Sequence, residues 1–177
     1  ETSVDLGSPV ITQTTNGTRR YHDDKFVLGF YGDAYTGQNG MVRVPFAAGN
    51  KVPVNFGGTA HGLSKAKLIE IRRQLGLVDV DIENEPIIML VDADAQSDLL
   101  GIEEYVNVDY TNQKVLDTGE LKPWLGFRFI PSNLGSKKAY PRSHQLFNVG
   151  GVNRLPVFVP SGLHRGVWTE FWGKVSE

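Results

Sequence analysis

The chain contains no cysteine, which excludes disulfide scaffolds, thiolate zinc sites and cysteine nucleophiles together. Excess charge is also scarce. Eighteen basic and 20 acidic side chains leave a net charge of -2 and a pI near 6.1, with no basic footprint for nucleic acid or an anionic membrane. The longest apolar runs have four to five residues, whereas a membrane span needs about 20. No signal-peptide pattern is visible. The chain starts at Glu1 rather than Met, as expected of a processed, excised or partial product. Apolar side chains, at 40% of 177 residues, suffice to offset chain entropy, so intrinsic disorder is not expected. Glycine (20) and proline (9) make up about one residue in six, which predicts many turns and more strand than helix.

Local patterns predict an α+β fold, a mixed sheet flanked by helices. Residues 1–20 are polar, with Thr14, Thr15, Asn16 and Gly17 clustered, and read as an arm or loop with a short strand around Val10 to Thr12. Residues 21–177 read as a single α+β domain without an internal linker. Phe26, Val27 and Phe30 share the face of a short helix that Gly32 and Gly37 end. Met41 to Phe46 alternates like a strand, and Val52 to Phe56 like an edge strand carrying a proline. Ser64 is a good N-cap, Leu63 and Leu68 form a hydrophobic staple, and Leu68, Ile71 and Leu75 follow helical spacing. Lys65, Lys67, Arg72 and Arg73 lie off that stripe, and Gly76 is a natural stop. Pro86 to Val91 reads as a strand buried on both faces, followed by a short helix capped by Asp92 and closed by Gly101. Leu116 to Leu121 reads as a turn, Trp124 to Ile130 as a strand, and Gly135 to His144 as a flexible cationic loop. Trp168, Phe171 and Trp172 sit at i, i+3, i+4 spacing.

Motifs for chemistry fall short. Gly57 to Ser64 resembles a phosphate loop but has Leu63 where the essential lysine should stand, and a loop entering a capped helix accounts for its glycines. Gly29, Gly32 and Gly37 do not fit the dinucleotide spacing. Asp79 to Glu85 holds four carboxylates, yet Asn84 and Leu90 occupy the positions where a calcium loop needs Gly and Glu. There is no nucleophile elbow, and His22, His61, His144 and His164 are scattered. The sequence therefore implies no cofactor and no metal, and a protein that is not an enzyme.

The order of several blocks resembles tailed-bacteriophage or prophage major capsid proteins with the Hong Kong 97-type fold. Tyr21-His22-Asp23-Asp24 through Gly37 looks like the segment after that family's extended loop. Gly62 to Leu68 with its helix, Ile87 to Val91, Ala95 to Leu100, Val108-Asp109-Tyr110, and Pro160 to Trp168 follow in the family's order. Trp124-Leu125-Gly126-Phe127-Arg128-Phe129-Ile130-Pro131-Ser132-Asn133 is the most specific block. The resemblance covers roughly residues 21–177. It implies an axial-domain-containing region without the N-terminal arm, the extended loop and the C-terminal end. It also implies a structural subunit of an icosahedral DNA-filled shell, assembled in the bacterial cytoplasm. The implied partners are further copies in pentameric and hexameric capsomers, scaffolding or decoration proteins, and packaged DNA bound only non-specifically, with no membrane.

The expected interface pairs the cationic Lys137, Lys138 and Arg142 with Asp79, Asp81, Glu83 and Glu85 of a neighbour, while Trp168 and Trp172 await a partner surface. Two other classes compete with this reading. One is a magnesium-dependent phosphoryl or nucleic-acid hydrolase using Asp79, Asp81, Asp92 and Asp94. The other is a glycan-binding module built on Tyr21, Phe26, Phe30, Tyr31 and Tyr35.

Overall fold

A computed structural model describes residues 9–58, 62–78, 80–107, 120–133, 136–138 and 141–162. The first element is a helix, α1 (Pro9–Tyr31), so residues 9–20, expected as arm or loop, are helical. The β-branched residues that suggested a strand pair with no strand among the described residues. A helix anchored by its buried last turns extends at small cost per residue, and Thr14 and Thr18 return their hydroxyls to the carbonyls of Val10 and Thr14. The anchor is the expected one: Val27 is buried, with Phe26 and Phe30 packed beside it. The helix stops before Gly32.

Next comes a hairpin, β1 (Ala34–Thr36) and β2 (Val42–Val44), with Tyr35 opposite Arg43. The edge strand expected at Val52 to Phe56 is instead a turn, in which the Phe56 N–H donates to the Pro53 carbonyl and a 3-10 turn follows at Phe56–Gly58. Pro53 cannot donate to a ladder, and among the described residues no strand pairs with this segment.

Helix α2 (Lys65–Gly76) begins at the predicted cap, where the Ser64 hydroxyl accepts from the Lys67 N–H. Leu63 and Leu68 are both buried in the main core. Gly76 is the last helical residue, and the Leu77 N–H closes the end on the Gln74 carbonyl. Strand β3 (Ile87–Val91) leads into α3 (Ala93–Leu100), whose first turn is capped by Asp92 accepting from the Ala95 N–H at 2.9 Å. A single turn, α4 (Glu103–Val106), follows. Strand β4 (Phe127–Pro131) is entered through a two-residue reversal. There Trp124 and Phe127 exchange backbone hydrogen bonds, and Leu125 and Gly126 both have positive φ. Helix α5 (Pro141–Phe147) replaces part of the expected cationic loop and runs into a small hairpin, β5 (Asn148–Val149) and β6 (Val152–Asn153). Strand β7 (Val157–Phe158) completes the elements of the sheet.

The central sheet has the order β4-β3-β7, with β3 parallel to β4 and antiparallel to β7, so it is mixed as expected. Its middle strand is buried on both faces, which is why Ile87 to Val91 carries no polar residue. Ile87, Met89 and Val91 join Leu68, Leu99, Tyr105, Phe127 and Phe129 in one cluster, while Leu90 joins Val27 and Phe147 in another. This is the α+β class predicted, with helices on the sheet's faces.

Candidate subunit interface

The parallel pairing of β3 and β4 gives the sheet two chemically different ends. The end where β3 begins carries the acidic loop. There the Asp81 carboxylate accepts from the backbone N–H and the side-chain amide of Asn84, and these bonds hold its carboxyl below the usual carboxylate range. Glu83 is exposed. Glu85 is turned to its own subunit, accepting from the hydroxyl of Ser161 at 2.7 Å and from its N–H. Asp79 lies outside the described residues.

The end where β3 and β4 finish carries the cationic turn. The Ser132 N–H donates to the Val91 carbonyl, the Ser136 N–H closes a turn on the Asn133 carbonyl, and Lys137 and Lys138 stand exposed beyond it. Arg142 falls in the first turn of α5, so it lies on a helix rather than in a loop. Trp168 and Trp172, like Phe171, His61, His164, Val108 to Tyr110 and most of the Leu116 to Leu121 turn, lie outside the described residues.

The same geometry separates the carboxylates proposed for a hydrolase. Asp81 precedes β3 and Asp92 and Asp94 follow it, and five strand residues span about 16 Å. A shared metal needs oxygen ligands about 2–2.6 Å away. Asp92 is also committed as a helix cap, and its second oxygen accepts from the Asn153 amide at 2.6 Å. It floors a polar cavity of about 380 Å³ with Asp94, Asn133, His144 and Asn153. Among the described residues no three histidine or acidic side chains converge as metal ligands.

The aromatic group divides as well. Phe26 and Phe30 pack edge-on or tilted against Phe158, and the Tyr31 hydroxyl donates to the Arg154 carbonyl. Only Tyr21 and Tyr35 are exposed, one on α1 and the other on the β1–β2 hairpin, so the five make no common stacking platform.

Two of the basic residues off the apolar stripe of α2 are structural. Lys67 is buried, its ammonium donating to the Gly62 carbonyl, and Arg72 donates to the Leu125 carbonyl at 2.6 Å. Helical spacing alone could not find them, because their acceptors lie outside the helix. A surface feature missed altogether is the β1–β2 hairpin, where Tyr35, Met41, Val42 and Val44 are all exposed. The alternation from Met41 to Phe46 indicated a strand but not that both its faces would be left uncovered.

The chain belongs to the phage capsid protein family: the family model described as "Phage capsid protein" matches residues 2–177. No curated protein and no solved structure matches it. Membership gives the protein a structural role in the virion capsid and points away from an enzyme. Among the described residues no helix is long and apolar enough to cross a membrane.

Proposed function

We propose that the protein is a major capsid subunit that self-assembles through repeated interfaces into pentameric and hexameric capsomers of an icosahedral, DNA-enclosing shell. In this reading residues 21–177 act as one domain with the Hong Kong 97-type topology, including its axial region. The observation that carries it is the family match over residues 2–177. The ordered blocks from Tyr21 to Trp168 support the finer assignment. The ring contact joins Lys137, Lys138 and Arg142 of one copy to Asp79, Asp81 and Glu83 of the next, with Glu85 shaping the acidic loop from within. Cationic and acidic groups at opposite ends of one sheet favour a head-to-tail contact, which closes into rings when the rotation allows. Trp168 and Trp172 supply apolar contact area in the same assembly.

Negative-stain microscopy of this region together with its flanking segments from the parent gene, across a series of salt concentrations, tests the reading. Rings or closed shells are expected. Dispersed monomers at high protein concentration in every salt condition would overturn it.

A further inference from the structure

The chain contains two Asn-Gly steps, Asn16-Gly17 and Asn39-Gly40. Such a step is chemically reactive, because a glycine leaves its own backbone nitrogen unshielded beside the asparagine side-chain carbonyl. Sterics do not separate the two, since neither Gly17 nor Gly40 has anything within 4 Å of where a Cβ would stand. The backbone does.

Asn16-Gly17 lies inside α1, where each N–H is held by the carbonyl four residues earlier and ψ stays at about −42°. There the Gly17 nitrogen cannot swing behind the Asn16 side chain without opening the helix. Asn39-Gly40 lies in the exposed loop between β1 and β2. Gly37 to Gly40 form a turn closed by the Gly40 N–H, which donates to the Gly37 carbonyl at 3.0 Å. Of these four residues Gly37 and Gly40 have positive φ, while the central Gln38 and Asn39 do not, as in a type I turn. The strand residues on either side are exposed too. Exposed hydrogen bonds in so short a hairpin open at low cost.

We propose that Asn39 is a self-modification site, which the folded chain converts to aspartate and isoaspartate while sparing Asn16. The Gly40 nitrogen attacks the Asn39 side-chain carbonyl carbon. The ring C–N bond forms, the bond to the side-chain amine breaks, and the proton displaced from Gly40 leaves with that amine as ammonia. Water then opens the succinimide at either carbonyl, and no electrons are exchanged with any other group. The isoaspartyl product lengthens the backbone of the turn by one carbon. Either product adds a negative charge to a chain of net charge -2. The change is one-way and needs no partner.

Ageing the full chain in mildly alkaline buffer, with and without guanidinium chloride, tests this by peptide mapping that resolves isoaspartate. In buffer alone the Asn39 peptide is expected to lose its amide roughly tenfold or more faster than the Asn16 peptide, because opening the turn costs less than opening the helix. In denaturant the two rates should converge, since only the shared Asn-Gly chemistry remains. Equal rates in buffer, or a faster Asn16, would overturn the proposal. So would an Asn39 that stays intact in buffer while both steps react in denaturant. Isoelectric focusing gives an independent readout. The acidic band that grows with age should vanish in Asn39→Ser and persist in Asn16→Ser, and its persistence in Asn39→Ser would count against the site.

Discussion

Tyr31 ties the end of α1 to the segment before β7, donating its hydroxyl to the Arg154 carbonyl at 2.8 Å. Burial pushes its phenol up to about 12, against a smaller opposing pull from the Arg154 guanidinium. A raised acid favours the protonated form in the folded state, so its contribution is full below the unfolded value of 10.0 and disappears as pH rises through about 12. Urea melts should therefore lose stability across that window, and Tyr31→Phe should flatten the loss while lowering stability at neutral pH through the missing hydrogen bond. An unchanged alkaline slope in the variant would contradict this. Glycines have equally specific causes. Gly62 has φ +48, and its missing Cβ leaves room for the Asp98 carboxylate, which accepts from the Leu63 N–H at 2.7 Å. That is the physical account of the phosphate-loop likeness: a glycine admits a carboxylate that caps the approach to α2. At Gly126, φ is +84 and a Cβ would come within 2.7 Å of the Arg72 guanidinium, so glycine there keeps Arg72 on the Leu125 carbonyl.

At the scale of elements, α2, β3 and α3 were legible because their signals are local. A capping side chain, a stripe at helical spacing and an uninterrupted apolar run each need only near neighbours in sequence. The first half of α1 was not legible, since its threonines and Gly17 argue against helix and its anchor lies a full turn or more downstream. Gly17 faces open space, with nothing within 4 Å of where a Cβ would stand. Gly17→Ala should therefore favour the helix by about 1 kcal/mol. Stronger far-UV helical ellipticity and slower amide exchange over residues 9–20 are expected, and no change in either would argue against helix in that stretch.

At the scale of the whole molecule, the parallel β3–β4 pair decides which charges stand together. It sets the acidic loop and the lysine turn at opposite ends, which suits a head-to-tail contact. Each exposed pair contributes only about 0–1 kcal/mol, but a ring repeats it. Lys137→Glu/Lys138→Glu should impair assembly, and adding Glu83→Lys should restore it in part. Raising salt should weaken assembly of the unaltered chain and of the charge-swapped chain alike. Loss of assembly without any rescue would remove Glu83 from the contact.

The sequence by itself determined the α+β class, the three best-capped or most apolar elements, and the order of blocks that leads to the capsid family. Those properties depend on residue spacing along the chain. Tertiary structure alone decided that Lys67 and Arg72 point inward and that Glu85 bonds Ser161 in its own subunit. It also decided that the residues of the β1–β2 hairpin strands stand exposed. The Arg72 and Glu85 bonds join groups 53 and 76 residues apart, where the fold, rather than local propensity, chooses the partner.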